Sequence, residues 1–206
     1  MKKLIILVVL LASVVLYAGC SSSEKDTFFQ PDDHADIDSY TTPDIEIEIK
    51  DIKPFKYVCI EETGSFDKME ESIGTLWMEA GKQGLQPAGA MFGIYYNDPG
   101  NTPEAEWKWE VGFKVAGDVK VQEPLKLKEW THTKVATYVA YGPYEETEGK
   151  YYPALYAKAA NMGYVPGGPS MSIYHNDPNT VKPEEIKTEL VIPVEKFESD
   201  SHPMAR

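Results

Sequence analysis

A stretch of this chain returns 79 positions later, and that recurrence narrows the folds open to it. Gly93-Ile94-Tyr95-Tyr96-Asn97-Asp98-Pro99 comes back as Ser172-Ile173-Tyr174-His175-Asn176-Asp177-Pro178. At the same offset Leu76 matches Leu155, Gly84 matches Gly163, Pro87 matches Pro166, Glu110 matches Glu189 and Val115 matches Val194. One offset held across a helix, a turn and two strands means a supersecondary unit used twice. Two copies are too few for a solenoid, which needs three or more, so a closed pseudo-symmetric domain is expected. The seam between copies is a common place for a ligand.

Each copy reads as a string of elements. Strand-like segments open it, Ile45–Lys50 and Phe55–Glu62 in the first copy, Leu125–Trp130 and Lys134–Tyr141 in the second. A glycine turn follows, Gly64-Ser65-Phe66 or Gly142-Pro143-Tyr144. Met69, Ile73, Leu76, Trp77 and Ala80 then fall on one apolar helical face, as do Tyr152, Leu155, Tyr156 and Ala159. Pro153 cannot donate a helical hydrogen bond, which predicts that the second helix starts there. Both helices are expected to stop at a glycine, Gly84 or Gly163. Two strands close each copy: Met91–Tyr96 and Trp107–Val115, then Ser170–His175 and Lys187–Val194. The fold class is α+β: tandem β-α-β-β repeats, with helices on one face of an antiparallel sheet and a ligand groove on the other.

The first 19 residues read as a signal peptide. Lys2 and Lys3 precede an apolar run from Leu4 to Leu16, shorter than the about 20 residues a span needs. Leu16-Tyr17-Ala18-Gly19-Cys20 resembles a bacterial lipobox, with Cys20 the lipidated first residue of the mature chain and Tyr17 atypical in it. A lipid-anchored, extracytoplasmic protein is expected. Residues 20–43 are polar and acidic and read as a flexible tether, residues 44–194 as the domain (copies at 44–115 and 124–194), and residues 195–206 as a disordered tail.

The formal net charge is -13, and loss of residues 1–19 with two lysines takes it to about -15. Such a surface repels nucleic acid and favours cationic or neutral partners, and it equally fits a charge that serves solubility alone. With Cys20 acylated, Cys59 is the one remaining thiol, so no internal disulfide forms. The four histidines show no metal-ligand spacing, and no metal site is expected.

Alternation along the strands selects candidate site residues. Trp109, Val111, Phe113 and Val115 share one face, as do Thr188, Leu190, Ile192 and Val194, and this face is assigned to the helices. Glu110 and Glu189 then point to the opposite side. Assigning Ile94 and Ile173 to the helix side sends Tyr95 and Tyr174 to the side of the glutamates and His175 away from it. Two carboxylates and two phenols related by the repeat suit an organic cation, through charge pairing and cation–π attraction.

Lys134–Glu146 with Gly142-Pro143-Tyr144-Glu145-Glu146, Gly163-Tyr164-Val165-Pro166-Gly167-Gly168-Pro169, Ile173–Pro178, Pro183-Glu184-Glu185 and Lys187–Val194 carry a family likeness. Over residues 44–194 the sequence resembles the GyrI-like small-molecule-binding domain. That domain is also described as the effector-binding domain of multidrug-responsive regulators and is related to the SOUL haem-binding fold. The resemblance implies a pocket between the copies and an acidic residue in the final strand, which corresponds to Glu189. Where regulators of this family carry DNA-binding helices, this chain carries the signal and tether.

Two functions follow. The first is a membrane-tethered, monomeric binding protein for small, cationic, amphipathic and aromatic molecules, with Glu189 and Glu110 as anions and Tyr95 and Tyr174 as walls. The second is a hydrolase of strained electrophiles that uses a pocket glutamate as general base. No cofactor is expected, and haem is disfavoured by the placement of His175.

Overall fold

The computed structural model describes residues 42–197. The signal segment, Cys20, most of the tether and residues 198–206 lie outside the described residues. Nine strands and two helices follow in the order β1 (Glu48–Asp51), β2 (Phe55–Thr63), α1 (Met69–Lys82), β3 (Met91–Tyr95), β4 (Lys108–Lys114), β5 (Lys126–Trp130), β6 (Lys134–Tyr141), α2 (Tyr144–Asn161), β7 (Tyr164–Pro166), β8 (Ser170–Tyr174) and β9 (Lys187–Lys196). Every pairing is antiparallel, in the order β1-β6-β9-β8-β3-β4-β2-β5, with β7 added to the end of β9. This is the α+β architecture that the repeat predicts.

The repeat has an axis, and the register locates it. Gly93 pairs with Ser172, Met91 with Tyr174 and Tyr95 with Ser170. Gly93 and Ser172 are themselves repeat mates, so a pseudo-twofold axis passes between them, normal to the sheet at the β3–β8 seam.

The leading strands are exchanged between the copies. β1 belongs by sequence to copy one but pairs with β6 of copy two, and β5 pairs with β2 of copy one. This forces the sheet to curl. β5 stands six strand spacings from β6, about 29 Å if flat. The connection through Thr131–Thr133 spans at most about 14 Å. The matching β1–β2 connection is as short, and the two are tied by the Ile52 amide donating to the Thr133 carbonyl at 2.7 Å.

Curling gives the sheet a concave face, and that face is packed, so the ligand groove expected on the side away from the helices is filled by core. Tyr57, Cys59, Phe92, Ile94, Trp130, Val135, Met171 and Val191 form one buried cluster there. The helices lie on the convex face. α1 packs on β2 and β4 with Leu76 and Ala80 against Val58, Trp109, Val111 and Phe113. α2 packs on β6, β7 and β9 with Ala154, Leu155 and Ala159 against Ala136, Leu190, Ile192 and Val194. The assignment of these β4 and β9 residues to the helix side therefore agrees with the structure. Gly84 and Gly163 follow the helices with φ of 65° and 82°, a left-handed conformation that side chains with a Cβ adopt at a cost.

Two local expectations need correction. α2 begins at Tyr144 and carries Pro153 inside it. Pro153 and Gly149, whose carbonyl loses its helical donor, are both exposed, so the unpaired oxygen stays open to solvent. The final strand also runs on to Lys196, because β7 offers it two further pairs, Glu195 with Val165 and Lys196 with Tyr164.

Candidate ligand-binding site

Glu110 points to the concave face, as alternation requires, and is wholly buried. Its carboxylate accepts from Tyr57 Oη at 2.6 Å, Tyr96 Oη at 3.0 Å and Lys128 Nζ at 2.6 Å. Glu189 faces the same side, with 16% of its side chain exposed, and accepts from Lys50 Nζ at 2.9 Å, with His175 Nε2 at 3.0 Å. These are equivalent constellations. Tyr96 and His175 are repeat mates, and Lys50 and Lys128 hold matching places on the two exchanged strands: Lys128 opposite Tyr57, Lys50 opposite Val135. Each lysine thus crosses to the other copy's glutamate.

The electrostatics fit this reading. Burial pulls the Glu189 carboxyl up, but Lys50 and His175 outweigh it and hold its pKa below the usual value. Burial pulls Lys128 down, and Glu110, Tyr96 and Glu61 more than reverse this. Burial pushes the Cys59 thiol up, beside Glu110 at 3.5 Å, so it is a protonated core group.

Tyr95 and Tyr174 lie on the other side, against expectation. Ile94 is directly opposite Glu110, and Ile173 opposite Glu189, so the isoleucines share the concave face. Tyr95 sits opposite Trp109, beneath the helices. The strand offset, invisible in an isolated strand, decides which face of β3 matches which face of β4. For the same reason His175 stands beside Glu189 and not on the helix side, which removes the ground on which haem was disfavoured.

On the convex face the two phenols meet across the pseudo-axis, Oη to Oη at 2.8 Å. Gly93 lies under them, and a Cβ there would sit 2.7 Å from Tyr95 Oη. α2 contributes Glu148, to which Tyr174 donates at 3.4 Å, and Tyr152, whose hydroxyl meets Ser172 Oγ at 2.9 Å. Tyr144 stands edge-on to Tyr174, and Phe66 edge-on to Tyr95, at centroid distances of 5.0 and 5.5 Å. Since α1 covers β2 and β4 while α2 covers β6 and β9, the strands β3 and β8 form the floor of a cleft between the helices. Tyr95, Tyr152, Tyr174 and Glu148 each keep part of their surface accessible there.

Burial raises the Glu148 carboxyl above its usual value, only partly offset by Ser172 and Tyr174. Burial likewise raises Tyr95, Tyr152 and Tyr174, so all three phenols stay protonated and able to donate. Thr188, beside Tyr174 on the same face, buries a hydroxyl with no hydrogen-bond partner among the described residues. Among the described residues no lysine or arginine bonds Glu148 in this cleft. It differs in this from Glu110 and Glu189, and from the open hollow of about 540 Å³ by the start of α1, where Lys126 neutralises Glu61. Sequence reading missed Glu148. The available signal was a carboxylate one turn before Tyr152 on the apolar side of α2.

The sequence matches the GyrI-like small molecule binding domain over residues 45–195. The chain belongs to this family. GyrI-like domains bind small molecules, as in the effector domains of regulators. A search of curated proteins by sequence finds no match. Among solved structures, the C-terminal domain of EcmrR aligns with a TM-score of 0.66 at 19% identity, covering 74% of this chain and 98% of that one. A hydrolase encoded by lin2189 from Listeria innocua aligns with a TM-score of 0.57 at 15% identity, covering 77% and 96%. SAV2435, in a structure bound to tetraphenylphosphonium, aligns with a TM-score of 0.51 at 12% identity, covering 73% and 94%. At these identities the likeness concerns the fold. Among the described residues no helix is long and apolar enough to cross a membrane.

Proposed function

We propose that this GyrI-like domain binds small aromatic cations in the cleft over the β3–β8 seam, with Glu148 as the anion and Tyr95, Tyr152 and Tyr174 as floor and wall. The observation that carries this is a carboxylate among phenols with no cationic side chain bonded to it among the described residues. A carboxylate in such surroundings favours a ligand that brings its own positive charge, and the rings add cation–π attraction of roughly 0.5–2 kcal/mol per contact. Tyr95 and Tyr174 keep the ligand-contact role expected of them, from the opposite face. Glu110 and Glu189 already hold lysines, and we assign them to strand pairing. The tetraphenylphosphonium bound to SAV2435 supports the same ligand class.

We further propose that the domain works outside the cytoplasm, tethered to a membrane through a lipid on Cys20. The basic start, the short apolar run and the lipobox-like Leu16–Cys20 support this. Such a protein would sequester or sense amphipathic cations next to the bilayer.

The test is a calorimetric titration with tetraphenylphosphonium and with neutral triphenylphosphine oxide. A charge-assisted contact is worth roughly 1.5–3 kcal/mol, so Glu148→Gln should weaken the cation about 10- to 150-fold and the oxide less than about twofold. Equal losses for both would remove the cation reading. Steady conversion of a bound electrophile such as an epoxide, abolished by Glu148→Gln, would instead favour a hydrolase with Glu148 as general base.

A further inference from the structure

The cleft straddles a pseudo-twofold axis, yet its two walls differ in chemistry. Glu148 precedes the buried Leu155 by seven positions, and Met69 precedes its mate Leu76 by seven. Tyr152 corresponds in the same way to Ile73, and Tyr156 to Trp77. The α2 wall therefore carries a carboxylate and two phenols where the α1 wall carries a thioether, an alkyl chain and an indole. Met69 and Ile73 are half-buried against the core that also holds Tyr95 and Phe66. The floor, by contrast, keeps its symmetry in the paired phenols of Tyr95 and Tyr174.

From this asymmetry we infer that the cleft accepts singly charged, two-ended molecules in one polarity, with the cationic end against α2 and an apolar end against α1. The inference rests on the cation-binding reading above and adds to it the ligand's shape and direction. A positive group placed beside Met69 and Ile73 would lose hydration against a thioether and an alkyl chain, where the α2 wall offers Glu148 and Tyr152. An uncharged alkyl group of the same size would lose nothing there. A dication of matching length is therefore rejected, although the net charge of the chain is -13.

An isosteric pair tests this: 4-neopentylbenzyltrimethylammonium, with one charge, and 1,4-bis(trimethylammoniomethyl)benzene, with two. The wild-type domain should bind the monocation at least about tenfold more tightly. Nuclear Overhauser contacts should run from its N-methyl groups to Tyr152 and from its tert-butyl group to Ile73. Met69→Glu places the missing carboxylate at the equivalent site, in the first turn of α1 where the helix dipole tolerates it. That variant should bring the dication level with or above the monocation. Equal or better binding of the dication by wild type, or two sets of contacts of equal strength related by the axis, would overturn the one-way orientation. If Glu148→Gln still weakens both probes in that case, the cation reading survives alone. If Glu148→Gln leaves the monocation unaffected, or neither probe binds, the cation reading falls and the orientation with it.

Discussion

Tyr95 and Tyr174 stand 79 residues apart in sequence and 2.8 Å apart at their hydroxyl oxygens. They are the same position in the two copies, brought together because the pseudo-axis passes between Gly93 and Ser172 in adjacent strands. With Tyr174 donating to Glu148, Tyr95 is left to donate to Tyr174, so the pair acts as a short relay that ends on the carboxylate. The floor of the cleft is thus a product of the repeat, and the carboxylate that Tyr174 donates to comes from α2.

Tyr174→Phe removes the donor nearest Glu148 and should raise the carboxyl pKa further, since one of the groups that offsets burial is lost. The pH at which tetraphenylphosphonium binding reaches half its maximum should move upward. Tyr95→Phe, one step removed, should move it less. A pH series of titrations on both variants checks the order.

Cation binding itself should strengthen with rising pH. Burial holds the Glu148 pKa above its usual value, so toward acid pH a proton competes with the cation for the carboxylate. Stability has the opposite sign. A carboxyl whose folded pKa exceeds its unfolded value adds stability at pH below the unfolded value, and that stability is lost as pH rises through the folded pKa. Relative to Glu148→Gln, the wild type should therefore lose melting temperature as pH rises above 4.5, and saturating cation should abolish that loss.

The cross-copy ion pairs should matter unequally. Glu110 is fully buried and takes four donors, the Cys59 thiol among them, so Glu110→Gln should cost about 2–4 kcal/mol in denaturant unfolding. Glu189 and Lys50 are 16% and 33% exposed, and Glu189→Gln should cost about 1 kcal/mol. Glu189→Gln should also leave tetraphenylphosphonium affinity within about twofold. A tenfold loss would return the ligand's anion to the concave face.

Gly93→Ala sets a methyl group 2.7 Å from Tyr95 Oη and 3.2 Å from Tyr174 Oη. The rings can swing away, so the stability cost should stay near 1–2 kcal/mol. The hydroxyl pairing cannot survive, and cation affinity should fall about tenfold. A crystal structure of the variant with separated phenols would accompany the loss.

Cys20→Ala should release the protein from membranes or leave an uncleaved precursor. Fractionation and gel mobility check this, and unchanged mobility with unchanged partitioning would exclude lipidation.

The repeat, the order of the elements other than β7, the helix-facing residues of β4 and β9 and the side chosen by Glu110 and Glu189 were all legible in sequence, because each depends on periodicity within one segment or on a long offset. Three things were not. The exchange of β1 and β5 is a pairing between distant strands, and Lys50 and Lys128 look like ordinary surface lysines until their partners appear. The face of Tyr95 and Tyr174 depends on the offset between β3 and β4, where a one-residue change inverts a whole strand. Glu148 lies on a helix interrupted in pattern by Pro153, and only the docking of α2 beside β8 makes it a buried anion. Sequence determines what each element can bury on its own. Register, exchange and the field around a carboxylate are properties of pairs of elements, and only tertiary structure decides them.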